Sequence, residues 1–566
     1  MTRSRKWLHP RTVTPTRGSG AMWLLLLRLC VLGVAPGLAV LGLPSTVGAA
    51  GVVGAGTPAS CTEDALDAAL AAGGLVTFDC GADPVTIALT AEMVITAEIA
   101  IDGGGLVTLS GGDTVRVFRV NDGATLDVRN LTLADGRTDG DWGGGIVNSG
   151  TLTLTNCTLS GNSAFIGGGG IANFGTLTVI NSTFSGNTAS REYAGGGGGI
   201  YNFGTLTLRD CTLSGNSATS GGGGLSNGGI ATLTNCTLSD NSASSGGGIG
   251  NSGTLALTDC TLSGNSAGAW AGGITNAGTA TLTNCTLNGN SPGGISNFDT
   301  LTLANCTLSG NSGGIANLFG TATVTNCTLS ENGRAILNAG DRYSECAYGS
   351  VTLTNTIIES AGVTCEAECL GGPLVYLVRD RNTMPAAVTA MQAGAGATGG
   401  IVESTAGADS GYFTDGGHNL QWPGTSCGET IPSRDPLLDP AGLKDNGGPT
   451  QTIALRPDSP ATNTGDESIC AAPPVNNLDQ RGFVRGGSGA AHCSIGACEY
   501  NSPGPPCDVG DCNSDGQVTI DELLSLVNIA LGNAQSACPH GVPSGADVDV
   551  AFIIHAVNAA VGGCGG

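Results

Sequence analysis

GTLTLTNCTLSGNSA, residues 150–164, returns with small changes down to Asn332. Seven copies are headed by a cysteine: Cys157, Cys211, Cys236, Cys260, Cys285, Cys306 and Cys327. Ser182 takes that place in NSTFSGNTA, and Leu131 and Thr356 mark degenerate copies at either end. Successive copies lie 21 to 29 residues apart. A repeat of this period is the signature of a solenoid. Within one copy Leu152 and Leu154 alternate with Thr151, Thr153 and Thr155, and period two is strand geometry. Three strand-like runs occur per copy, as in GGGIYN, GTLTLRD and CTLSGN of residues 197–216, separated by Gly, Asn and Ser. So much glycine excludes helices. Each copy therefore forms one rung of a parallel β-helix, stacked on its neighbours at the ~4.8 Å spacing of paired strands. Ile146, Leu152, Leu154, Cys157 and Leu159 are expected to face inward. Each buried leucine contributes ~1.5–3 kcal/mol, but only when a neighbouring rung covers it.

Two rows of asparagine recur at fixed places. One runs from Asn148 through Asn173 and Asn202 to Asn338, the other from Asn162 through Asn187 and Asn216 to Asn332. Stacked amides can bond rung to rung, and Asn tolerates left-handed turns. The Asn156-Cys157-Thr158 sequon recurs with the repeat at what reads as a core-lining turn, so it marks structure rather than glycosylation. The cysteine row reads as buried free thiols. Rungs ~4.8 Å apart exceed the ~3.5–4.5 Å Cβ separation of a disulfide, and an in-register row does not offer tetrahedral metal geometry. The T-x-T rows, Thr151/Thr153 and Thr205/Thr207 among them, fit an exposed strand face better than an ice-binding array.

Outside the repeats the chain changes character. Residues 1–50 read as an export signal: Arg3, Arg5, Lys6, Arg11 and Arg17 precede an apolar run from Ala21 to Leu43, and Val47-Gly48-Ala49 forms a cleavage pattern. Removing this segment takes six of the 21 basic residues and none of the 45 acids, deepening the net charge from −24 to −30. Such acidity argues against nucleic acid or anionic lipid as partner. No stable membrane span is expected after signal removal, and a secreted or cell-surface location follows. CTEDALDAAL, residues 61–70, reads as a short amphipathic helix covering the open end of the first rungs within residues 51–120, with Cys61 and Cys80 placed to bridge. The repeats proper occupy 121–360. A Cys-containing insertion with low-complexity sequence interrupts late rungs at 361–433, a C-terminal cap spans 434–500, and Pro/Gly-rich residues 501–506 link to a small module at 507–566.

These segments resemble known families. The GGGI runs and Phe184-Ser185-Gly186-Asn187 resemble the GGAI and FxxN repeats of chlamydial polymorphic outer-membrane proteins. Unlike those proteins, the chain lacks the alternating ten-residue strands of a membrane barrel, so it is not read as an autotransporter. CTEDALDAAL resembles the CTLREA-type start of bacterial surface proteins, with the LREA letters replaced. Asp435-Pro436-Leu437-Leu438, Asp445-Asn446-Gly447-Gly448-Pro449, Ser459-Pro460-Ala461, Asp479-Gln480-Arg481-Gly482 and Ile495-Gly496-Ala497 look like the choice-of-anchor Q domain. The resemblance implies a secreted, right-handed parallel β-helix on a bacterial surface, with no established chemistry.

DCNSDGQVTIDE, residues 511–522, matches an EF-hand calcium loop. Asp511, Asn513 and Asp515 take ligand positions one, three and five, and Gly516 gives the sharp turn. Gln517 offers a carbonyl, Thr519 stands at nine and Glu522 closes the site at twelve. A helix is expected to follow, with Leu523, Leu524, Val527 and Leu531 as its apolar face. The module resembles a type I dockerin, which implies Ca2+ and a cohesin-like partner. The second loop has Gly541, Pro543 and Gly545 where ligands belong and Phe552 at the closing position. That departure favours one bound ion and a terminal plug or anchor. Cys507, Cys512, Cys538 and Cys564 are expected to staple the module, with three pairings open.

Catalysis has little support in the repeats. Glu192, Asp210, Asp240, Asp259, Asp299 and Glu331 are the only acids from Gly143 to Gly340, at scattered rung positions and without histidine. Arg191, Glu192 and Tyr193, with Arg209 and Asp210, read as a solvated loop and a surface ion pair. Trp142, Phe165, Tyr193 and Trp270 all precede glycine runs, at what reads as one corner of the coil. Aromatics exposed there suit stacking on sugar rings or gripping a cell-surface protein. Each folding over its own glycine turn is an equally good reading. The function expected is that of an adhesin or scaffold; the alternative is a polysaccharide-active enzyme or carbohydrate-binding subunit tethered by its tail.

Overall fold

A computed structural model describes residues 49–191, 196–341, 347–360, 365–370, 413–486, 492–500 and 520–530. The described residues form an all-β parallel solenoid of about 12 turns with few helices. Three long sheets run its length: sheet A with 14 strands, sheets B and C with 13 each. In one rung Ile146–Asn148 belongs to sheet C, Thr151–Thr155 to sheet A and Thr158–Ser160 to sheet B. Pairing is parallel and in register, residue on equivalent residue: Leu152 pairs with Leu126 on one side and Leu177 on the other. The alternation decides the faces. Ile146, Leu152, Leu154, Cys157 and Leu159 are at most 2 % exposed, while Thr151 faces out.

The rung has one strand more than the three runs read from the repeat. The Asn-Ser-Ala that follows each CTLSG forms a two-residue strand, Ser163–Ala164 in this rung, and six of these make a fourth sheet from Arg137–Thr138 to Ser266–Ala267. The strand is absent between Cys285 and Cys327, where the step shrinks to 21 residues. Deleting one short strand with its turn accounts for the two 21-residue steps.

Polar groups inside the coil satisfy one another. Asn148 Nδ2 donates to Asn173 Oδ1 (2.7 Å), and so on along that row to Asn338. In the second row Asn162 Nδ2 donates to Asn187 Oδ1 and to the Leu133 carbonyl, while its backbone N–H also donates to Asn187 Oδ1. All these amides are buried, so each unpaired one would cost about 1–3 kcal/mol. A third row was not read from the sequence. Asn130, Asn156, Asn181, Asp210, Asn235, Asp259 and Asn284 all take left-handed φ between 46° and 56°. Asn181 Nδ2 donates to Asn156 Oδ1 and Asn235 Nδ2 to Asp210 Oδ1, both 2.7 Å. Asn156 is exposed, so its turn does not line the core as expected. The seven repeat cysteines are free and buried. Each sulfur packs against backbone carbonyls, as Cys157 Sγ does with Val128 and Thr155. Burial pushes the Cys157 thiol up to about 11.

At the N-terminal end, helix α1 (Glu63–Ala72) packs on the strand Ala49–Val53. Thr62 caps it by accepting from the Ala65 N–H, and Gly73 ends it in a left-handed turn. Leu66 and Ala69 are buried. A Cβ on Gly51 would lie 2.6 Å from that of Ala69, so only glycine permits this approach. Cys61 and Cys80 are disulfide-bonded, as are Cys365 with Cys427 and Cys470 with Cys493. Sheets A and B continue past the residues left undescribed, through Phe413–Asp415 and Leu420–Trp422.

Residues 435–486 and 492–500 lie along sheet B of the late rungs, with one short helix, α2 (Glu467–Ala471). Thr286 Oγ1 donates to the Gln451 carbonyl and Thr307 Oγ1 to Gln480 Oε1, both at 2.6 Å. Thr328 Oγ1 accepts from the Ala497 N–H. Behind this contact lies a buried charged network. Asp479 Oδ2 receives Arg481 and the Glu499 N–H, Glu499 receives both groups of Ser494, and Arg485 donates to Asn305 and to four backbone carbonyls. Burial lowers the Arg485 pKa, opposed by Asp479 and Glu499. No helix among the described residues is long and apolar enough to cross a membrane.

Candidate functional site

The outer face of sheet C carries the main exposed aromatic cluster. Tyr201 sits between the inward Ile200 and Asn202, so alternation turns it outward. Phe174 and Phe203 occupy the turn residue that follows a ladder asparagine, in Asn173-Phe174-Gly175 and Asn202-Phe203-Gly204. Trp142 reaches along the coil from two rungs away. Its ring lies 4.4 Å from Tyr201 and 5.6 Å, edge-on, from Phe174. Tyr201 stacks on Phe203 at 6.0 Å. Phe174 and Phe203 are 41 % and 50 % exposed. The outward Ala172, register partner of Tyr201, is fully buried. A Cβ on Gly228 would come within 2.9 Å of the Phe203 ring, so glycine lets that ring lie across the next rung. Burial pushes the Tyr201 phenol up to about 12.

The corner bearing Trp142 is held from beneath by charge. Arg116, 3 % exposed, donates to the Gly143 and Trp142 carbonyls, to Glu92 at 2.5 Å and to Asp141 at 2.7 Å. Arg119 donates to the same two carboxylates at 3.0 and 3.4 Å. Hydrogen bonding to Glu92 raises the Arg119 pKa. Burial alone would raise that of Asp141, but the Trp142 N–H, Arg116 and Arg119 bring it below its ordinary value. Two carboxylates balanced by two guanidiniums make a rigid mount for the indole. They are not a free acid–base pair.

Of the four aromatics read from the sequence, Trp142 is in this cluster. Phe165 is exposed, and among the described residues it makes no ring contact. Trp270 pairs edge-on with Phe298 at 4.9 Å in a second, smaller group. Tyr193 lies outside the described residues, as does Glu192. The expected continuous row is thus two clusters among the described residues, because Trp142 and Trp270 each turn toward ring partners on later rungs while Phe165 does not. Phe174, Tyr201 and Phe203 were missed. The signal for them was the N-F-G turn and an aromatic at an outward alternation position. Arg209 and Asp210 do form an exposed ion pair, at 3.5 Å.

Among the proposed calcium ligands, Asp511, Asn513, Asp515, Gln517 and Thr519 lie outside the described residues. Glu522 is buried within helix α3 (Ile520–Ala530). That helix differs from the face read for it: Leu526 is fully buried, whereas Leu524 and Val527 are 55 % and 36 % exposed. The apolar side of α3 is broad enough to hold both the buried Leu526 and the exposed Leu524 and Val527.

The family model for the right handed beta helix region matches residues 116–276 and 224–372. No curated protein matches the chain. Among solved structures it is similar to the A-module of Azotobacter vinelandii mannuronan C-5 epimerase AlgE4. That likeness has 14 % identity, 58 % of this chain and 97 % of that one covered, and a TM-score of 0.27. It is also similar to the AlgE6 A-module, at 14 % identity, 67 % and 98 % coverage and a TM-score of 0.26. With its in-register parallel rungs, the repeat region of this chain, residues 116–372, is a right-handed β-helix repeat.

Proposed function

We propose that the protein is a secreted or surface-displayed adhesin or scaffold that binds glycan through the outer face of sheet C. The observation that carries this is the exposed Trp142–Phe174–Tyr201–Phe203 cluster on a rigid mount. Aromatic faces stack on the apolar faces of sugar rings, and a preorganised platform loses little entropy on binding. The alternative, an enzyme acting on polysaccharide, would need a carboxylate free to move a proton, and Glu92 and Asp141 are each tied to two arginines. In this reading residues 1–50 direct export, and α1 and residues 435–500 cap and clasp the coil in the manner of choice-of-anchor Q proteins. The dockerin-like tail holds one Ca2+ through Asp511, Asn513, Asp515, Gln517, Thr519 and Glu522, a donor set of hard oxygens that suits calcium. It serves as an anchor or meets a cohesin-like partner.

A glycan array probed with the protein tests the reading. Binding of a defined glycan class, lost in a Tyr201→Ala/Phe203→Ala double variant of unchanged melting temperature, is expected. Binding unaffected by that variant, or no binding at all, rejects it.

A further inference from the structure

We propose a second saccharide site, separate from the sheet C face and specific for neutral sugars, at the C-terminal end of sheet B. Down that sheet the outward residue after each inward leucine is small and polar: Ser239, Ser263, Asn288, Ser309 and Ser330, paired in register. The last two strands break the pattern. Glu359 follows Ser330, and Trp422 pairs directly with Glu359. In the adjoining turn Glu331 takes a left-handed φ of 56°, where the three preceding rungs have Gly264, Gly289 and Gly310 at φ 63–64°. Three departures from the repeat thus meet at one corner. They line a cleft of about 480 Å³ with Ser360 and Pro423, within the ~300–1,000 Å³ range of small-ligand sites.

The chemistry of the lining names the ligand class. Trp422, 38 % exposed, offers an indole to the apolar face of a sugar ring. Ser330 Oγ donates to Glu359 at 2.5 Å and Ser309 Oγ to Glu331 at 3.4 Å. These bonds orient the carboxylates and leave further lone pairs for sugar hydroxyls. The described lining has no basic residue, and the chain carries a net charge of −24. Uronate polymers are therefore disfavoured.

The repeat supplies substitutions that restore its own consensus. Glu331→Gly and Glu359→Ser reproduce the neighbouring rungs, so both should fold as well as the parent. The full chain is titrated by calorimetry with cellohexaose, mannohexaose and chitohexaose, and with hexagalacturonate as the charged comparator. Binding of at least one neutral hexamer is expected, weakened at least tenfold by Trp422→Ala and severalfold by Glu359→Ser or Glu331→Gly, and unchanged in Tyr201→Ala/Phe203→Ala. No neutral binding, preference for hexagalacturonate, or binding indifferent to all three cleft variants overturns the proposal. Loss only in the Tyr201/Phe203 variant would leave the sheet C site standing and remove this one.

Discussion

The outward threonine that follows each repeat cysteine, or Ser182 in its place, has two fates. In the early rungs Thr158, Thr183, Thr212, Thr237 and Thr261 are half-buried or exposed. In the late rungs Thr286, Thr307 and Thr328 are at most 1 % exposed, and each is hydrogen-bonded to residues 451–497. The letters are the same and the strands pair in the same register. What differs is a segment some 165 to 195 residues further along the chain. Sheet B is thus a solvent face in one half and an interior interface in the other. A repeat specifies which way a side chain points. It does not specify what lies there.

The inner stack should be indifferent to this difference. Leu154→Asp in the uncovered half and Leu308→Asp in the covered half each place a charge in a dry stack. Each should cost more than about 4 kcal/mol and unfold several rungs, seen as a large drop in urea midpoint. A mild effect in either would mean that the inward assignment fails in that half. Thr153→Asp, on the half-exposed outward side, should stay within about 0.5 kcal/mol.

The clasp itself comes next. Arg485→Ala removes five hydrogen bonds and leaves the buried Glu499 without its cationic partner. A loss of about 3–5 kcal/mol is expected, with faster hydrogen exchange confined to rungs 285–357. Equal acceleration in rungs 205–265 would show that the two halves are not distinct.

The outward row gives the sharpest contrast. Thr307→Val strands Gln480 Oε1 and should cost about 1–3 kcal/mol. Thr212→Val, on a half-exposed strand face, should stay within about 0.5 kcal/mol. Similar shifts in melting temperature for both would cancel the comparison. The smallest effect is expected from metal. Chelation should leave the melting of both halves unchanged, while calorimetry on the full chain finds one calcium ion, lost in Asp515→Ala. A stoichiometry near two, or a β-helix that melts earlier with chelator, would contradict the one-loop reading.

Much of the site's setting was legible. Leu152 and Leu154 against Thr151 and Thr153 announced strands and their inward face, and the asparagine rows announced ladders, because both signals repeat at every rung. Trp142 was visible as an aromatic beside glycine. Its partners were not, since Tyr201 and Phe174 lie on other rungs and only stacking brings them together. The mount of Glu92, Arg116, Arg119 and Asp141 was missed for the same reason: its members come from three successive rungs, the first two before the regular repeat begins.

By itself the sequence determined the main frame of the rung: three of its four strands, two of its three asparagine rows, its buried thiols and the Cys61–Cys80 bridge. These are local or nearest-neighbour properties, and a one-dimensional stack repeats them. Only the tertiary structure decided that Gln480 and Arg485 close over Thr307 and Asn305, that Trp142 reaches Tyr201, and that Glu331, Glu359 and Trp422 share a cleft. Those contacts join residues up to 180 apart, and no periodicity encodes a contact made once.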